Sequence, residues 1–185
     1  MAVELYVPDM EFVIRERSEK TADFEWVNRS TVEIFQNKRV VVFSLPGAFT
    51  PTCSSTHLPG YEAAYKEITE LGIDDVYCIS VNDSFVMNSW FKSLGIENVK
   101  PVPDGAGEFT RKMGFLIDKS NIGCGYRSWR YSMVIENGIV EQMFIEPGFD
   151  DNADGDPFQV SDAETMIKYL REVHERKNQE SIDAS

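Results

Sequence analysis

The stretch Val40-Val41-Val42-Phe43-Ser44-Leu45-Pro46-Gly47-Ala48-Phe49-Thr50-Pro51-Thr52-Cys53 decides how this chain folds. Five of its first six residues are apolar, three of them β-branched, and the run reads as a buried strand. Pro46-Gly47 ends that strand, and a helical pattern begins within a few residues of Cys53. A thiol at a helix start sits beside unbonded backbone N–H groups and the positive end of the helix dipole. Both favour the thiolate, which is the nucleophilic form. The bland alternative is a small buried hydrophobe, the usual fate of a free cysteine.

Downstream, Tyr61, Ala64, Tyr65, Ile68 and Leu71 recur at helical spacing, and Gly72 closes that helix. Asp75-Val76-Tyr77-Cys78-Ile79-Ser80-Val81 follows as a second buried strand. Strand, helix, strand predicts parallel strands joined by a right-handed crossover. A further helix carries Val86, Trp90, Phe91 and Leu94 and ends at Gly95. Asn137-Gly138 between the β-rich runs 130–136 and 139–145 predicts a hairpin. Ser161-Asp162-Ala163-Glu164 reads as a capping box opening a last helix striped with Ala163, Met166, Ile167, Leu170 and Val173. The order implies an α/β fold with a central mixed β-sheet and helices on both faces, in a thioredoxin-like layout.

The chain has 185 residues, enough for one domain. That domain is expected over 1–172, with a polar tail, 173–185, that frays beyond about His174. The formal net charge of −13 argues against nucleic acid and anionic membrane as partners, because the field repels phosphates. No apolar run is long enough to span a membrane, and the early acid Glu4 argues against a signal peptide. A cytoplasmic protein is expected. Cys53, Cys78 and Cys124 are odd in number and widely spaced, unlike a disulfide framework or a zinc ribbon. Asp150-Asp151-Asn152-Ala153-Asp154-Gly155-Asp156 copies the first half of a calcium loop, but Ser161 stands where the bidentate Glu belongs. An acidic surface loop without metal is the better reading.

Around Cys53, Pro51 fixes its own φ and Gly47 loosens the turn. The Thr50 hydroxyl, three residues before Cys53, is placed to hydrogen-bond the thiol or a substrate oxygen. A thiolate also needs a cation, and arginine suits because it stays charged and offers a planar fork of donors. Arg127 and Arg130 in Arg127-Ser128-Trp129-Arg130-Tyr131-Ser132 compete for that place. Residues three apart on a strand face opposite ways. His57, four residues after Cys53, invites a Cys–His pair, but packing or capping is the simpler role. His174 reads as a surface residue.

Pro46 to Ser54, His57-Leu58-Pro59-Gly60, Ile79-Ser80-Val81-Asn82-Asp83 and the Ser128-to-Val134 run together resemble the peroxiredoxins, specifically the type II or type 5 branch. Met143-Phe144-Ile145-Glu146-Pro147 and Asp156-Pro157-Phe158 are similar to the peroxiredoxin half of bacterial peroxiredoxin–glutaredoxin fusions. The likeness runs from roughly residue 3 to residue 172, and no glutaredoxin domain follows. It implies a thiol peroxidase acting on hydrogen peroxide and organic hydroperoxides. Cys53 would become a sulfenic acid, and Thr50 and Arg130 would hold the peroxide oxygens. The backbone N–H groups of Thr52 and Cys53 would complete the cradle, while Pro46 would shield the thiolate. It further implies a homodimer with no bound cofactor, reduced by glutathione, glutaredoxin or both. Cys78 stands where plant type II enzymes carry a resolving cysteine, yet its apolar surroundings suggest an inert thiol. Cys124 matches no family position. The competing functions are a thiol–disulfide oxidoreductase, weakened by the lack of a second cysteine after Cys53, and a non-enzymatic redox sensor or holdase.

Overall fold

The computed structural model describes residues 4–18 and 20–183. The strand read from Val40–Leu45 is β3 (Arg39–Ser44), preceded by a hairpin of β1 (Glu11–Arg17) and β2 (Phe24–Ser30) and a short helix α1 (Thr31–Phe35). After it come α2 (Leu58–Glu70), β4 (Asp75–Ser80), α3 (Ser84–Leu94), β5 (Lys100–Pro103) and α4 (Glu108–Lys112). The chain ends with β6 (Leu116–Asp118), β7 (Tyr126–Ser128), the hairpin β8 (Tyr131–Glu136) and β9 (Ile139–Ile145), and α5 (Ala163–Asp183).

Five strands form one sheet in the order β5-β4-β3-β8-β9. β3, β4 and β5 are parallel, while β8 and β9 run antiparallel, so the sheet is mixed. Alternation along β3 divides the core: Val41 and Phe43 pack with Tyr61, Met87, Trp90, Met166 and Leu170 on the face covered by α2, α3 and α5. Val40 and Val42 pack with Phe12, Phe35, Phe109 and Ile135 on the face covered by β1, α1 and α4. Burial on both faces is why β3 and β4 are continuous apolar runs. Asn137 and Gly138 both take positive φ, as the tight hairpin turn requires.

Two local expectations need correction. Ser161 does not cap α5: its N–H and hydroxyl both go to the buried Glu146 carboxylate, at 2.8 Å each. Asp162 takes over, accepting from the Thr165 N–H at 2.9 Å. A capping box does form elsewhere, between Ser30 and Glu33 at the start of α1. The segment expected as a polar tail after His174 is helical, since α5 continues to Asp183. Its exposed last turns are rich in Glu, Arg, Lys and Gln, which are good helix formers. Of the expected tail, residues 184 and 185 lie outside the described residues, as do 1–3 of the expected domain.

Candidate active site

The register of the sheet assembles the site. Ser44 pairs with Tyr131, so Arg130 lies across from the point where β3 runs out into Pro46 and the loop to Cys53. Cys53 is fully buried, and Arg130 is 1% exposed. Arg130 Nη2 donates to Cys53 Sγ at 3.5 Å. Arg127, on β7, instead donates to backbone carbonyls: Nε to Cys124 at 2.9 Å and Nη1 to Val81 at 3.3 Å.

The loop before Cys53 is held tightly. Thr50 Oγ1 donates to the Gly47 carbonyl at 2.7 Å, and the Ala48 N–H donates to Asn82 Oδ1 at 2.9 Å. Phe49 takes a φ of +61°, a strained conformation for an aromatic residue. Gly47 serves close approach, not the looseness expected of it. A Cβ there would stand 3.0 Å from Arg127 Nη1, so a side chain would push the guanidinium away. Thr50 precedes the helix; its carbonyl accepts from the Ser54 N–H at 3.1 Å. Ser54 is the first amide to fold back, which leaves the N–H groups of Thr52 and Cys53 ahead of it.

Cys53 opens a π-helical turn, Cys53–His57, closed by the Leu58 N–H to the Cys53 carbonyl. Pro59 lacks the N–H that would bond back to Ser55, so a tighter turn would gain nothing there. Widened turns of this kind gather at functional sites. Both ends of this one, Cys53 and His57, are buried.

His57 is fully packed and makes no Cys–His pair. Its Nδ1 lies 2.9 Å from Arg130 Nη1, and its Nε2 lies 3.2 Å from the Ser161 carbonyl. Burial, and next the positive charge of Arg130, hold its pKa well below the ordinary imidazole value. Neutral His57 therefore accepts from Arg130 at Nδ1 and donates to Ser161 at Nε2, the only tautomer that satisfies both. Arg130 also bonds Asp156 Oδ1 through Nη2 at 2.5 Å and lies 5.5 Å from the Phe158 ring. Glu146, 1% exposed, accepts from the backbone N–H groups of Gln159, Val160 and Ser161 and so anchors the segment that carries Asp156 and Phe158.

The sequence reading left Asp156 in an acidic surface loop. Its neighbours are spent on local structure: Asp151 accepts from the Asp118 N–H and Asn152 from the Asn121 N–H. Among the described residues no three His, Cys, Asp or Glu side chains converge as a metal site requires. Two signals pointed inward, the Asp156-Pro157-Phe158 motif and the position of Glu146, but neither names a partner.

The other two thiols differ sharply. Cys78 is fully buried on β4, and burial, with a further push from Cys53, raises its pKa well above the ordinary thiol range. Cys124 is part-exposed between two glycines with positive φ. It lines a cavity of about 300 Å³ walled by Pro46, Thr50, Thr52, Ile122 and Arg127. A larger cleft, of about 1070 Å³, lies between α2 and α5; of the motif residues only Gly60 and Phe158 line it, and neither Cys53, Thr50 nor Arg130 does.

The Redoxin family model matches residues 8–167. A peroxiredoxin of Synechocystis is 55% identical over 89% of this chain and 89% of its own length. This chain is a peroxiredoxin. The hybrid peroxiredoxin of Haemophilus influenzae is 54% identical over 85% of this peroxiredoxin and 64% of that longer protein. Reduced Prx3 of Vibrio vulnificus, solved in complex with hydrogen peroxide, superposes with a TM-score of 0.80 at 34% identity. The superposition covers 94% of this peroxiredoxin and 98% of that chain, which makes the fold thioredoxin-like as expected. As a peroxiredoxin the protein is a thiol peroxidase.

Proposed function

We propose that this peroxiredoxin reduces hydrogen peroxide and organic hydroperoxides at Cys53 and is restored by an external thiol, glutathione or a glutaredoxin. One observation carries the assignment of Cys53: a buried arginine donates to its sulfur at 3.5 Å. The thiolate attacks one peroxide oxygen, the O–O bond breaks, and Cys53 becomes a sulfenic acid. The other oxygen leaves as hydroxide or alkoxide and takes a proton. Arg130 stabilises that developing negative charge. The Thr50 hydroxyl gives its proton to Gly47, so its lone pairs are free to accept from the peroxide O–H. The Thr52 and Cys53 amides contribute two more donors, and Pro46 on the cavity wall limits water at the thiolate.

A one-cysteine cycle is favoured over resolution by Cys78, since a fully buried thiol held protonated is a poor nucleophile. The Haemophilus relative, being a hybrid peroxiredoxin, supports a glutaredoxin as partner. Electrons then come from the external thiol, and no resident cofactor or metal is invoked. The exposed Phe49 beside the site is consistent with burial in a homodimer. Three free cysteines fit a reducing, cytoplasmic setting, and no helix among the described residues is long and apolar enough to cross a membrane.

The test is peroxide consumption coupled to glutathione and glutaredoxin. Cys53→Ser is expected to abolish it. Substantial residual turnover in that variant would remove Cys53 from the chemistry.

A further inference from the structure

The cavity beside Cys53 carries two cations that peroxide reduction does not need. Lys119 is 5% exposed; its Nζ donates to the Ala153 carbonyl at 2.7 Å and sits 5.8 Å from the Trp129 ring. Arg127 commits Nε and Nη1 to carbonyls, while its Nη2 has no partner among the described residues. Neither side chain forms an ion pair among the described residues. Asp156, the one carboxylate on the cavity wall, is bound to Arg130. The wall thus presents two positive charges, Lys119 buried and Arg127 part-buried, that no carboxylate pairs with among the described residues, in a chain of net charge −13. Holding cations away from water is costly without an anion to meet them.

Hydrogen peroxide and simple alkyl hydroperoxides are neutral, so they gain little from these charges. The molecule that enters next, the reductant, is the one a fixed cation can select. Arg127 lies against Gly47 of the same turn that carries Thr50, within one short loop of Cys53. We propose that Arg127 and Lys119 form a carboxylate subsite, which holds the acid group of a small reducing thiol while its sulfur meets oxidised Cys53. This rests on the sulfenic acid reading above. The thiolate sulfur attacks Cys53 Sγ, an S–S bond forms and the S–O bond breaks. Hydroxide leaves and joins the thiol's proton as water. The Cys53 sulfur is reduced and the entering sulfur oxidised. A second thiol of the same kind then releases Cys53 as thiolate and departs as a disulfide.

The test separates the two half-reactions. Protein is first oxidised with one equivalent of hydrogen peroxide, and sulfenic acid on Cys53 is verified by mass. Its reduction is then timed with 3-mercaptopropionate (anionic), 2-mercaptoethanol (neutral) and cysteamine (cationic), at matched thiolate concentration. The subsite predicts that the anionic thiol is faster than the neutral one by roughly fivefold at low salt, and the cationic one slower. Raising salt shrinks that preference. Arg127→Gln brings the ratio towards one and leaves the peroxide step unchanged. Equal rates for the three thiols, or a ratio that survives Arg127→Gln, overturns the subsite. Absence of sulfenic acid before any thiol is added overturns the underlying reading instead, and the subsite with it.

Discussion

Replacing His57 by phenylalanine keeps a planar ring among Phe43, Tyr61 and Phe158, whose centroids lie 4.9, 5.6 and 4.8 Å away. What it removes is the acceptor for Arg130 Nη1. The Ser161 carbonyl is not orphaned, because the Tyr61 hydroxyl also donates to it at 2.9 Å. The loss is therefore concentrated on one charge-assisted hydrogen bond to a buried guanidinium. Such bonds contribute about 1.5–3 kcal/mol. For a chain of this size that lowers Tm by roughly 3–12 °C. If the same bond aligns Arg130 at the sulfur, attack on peroxide slows roughly 10- to 100-fold. Stopped-flow oxidation of the reduced protein reads the rate, and thermal unfolding reads the stability. His57→Asn separates alignment from packing: its Oδ1 falls near the place of Nδ1 and can accept from Arg130. The asparagine variant is expected to oxidise faster than the phenylalanine variant despite its poorer packing. A folded His57→Phe protein that oxidises at the wild-type rate, or an asparagine variant no better than it, would refute the positioning role.

Arg130→Gln is expected to slow peroxide oxidation by about 10²–10³, and Arg127→Gln to leave it within about twofold; the reverse order in the same stopped-flow assay moves the role to Arg127. Cys78→Ser should leave thiol-supported turnover intact while costing about 1–3 kcal/mol of stability for a buried hydroxyl, measured by denaturant unfolding; lost turnover would make Cys78 the resolving thiol. Buried His57 resists protonation, whereas the unfolded chain takes that proton at about pH 6.5, so the unfolded state binds more protons below that pH. Its effect on stability is nil above about pH 6.5 and grows as pH falls, at up to about 1.4 kcal/mol per unit. The stability difference between wild type and His57→Asn should therefore shrink in acid, and parallel pH curves would contradict a neutral buried His57.

Much of the architecture was legible because it rests on local signals. β3 and β4 are apolar on both faces, and Asn137-Gly138 is one of few pairs that accept two positive φ values at low cost. The β1–β2 hairpin was missed because β2, Phe24–Ser30, has no buried residue and shows no apolar alternation. Where reading failed at the site, a distant partner decided the outcome. Ser161 looked like a cap until Glu146 took its hydroxyl. His57 is defined by Arg130 and Ser161, which are 73 and 104 residues away. Asp156 lies 26 residues from the arginine it binds. Residue types announce the chemistry available, but the sheet register chooses which of them meet.

The central claim, that the thiol held by Arg130 is the one that attacks peroxide, is tested most directly by intact and peptide mass after one equivalent of hydrogen peroxide without added thiol. The account predicts one added oxygen, located on the peptide containing Cys53 and trapped there by a sulfenic acid reagent. Peroxide consumed with Cys53 unmodified, or the oxygen found on Cys124, would contradict it.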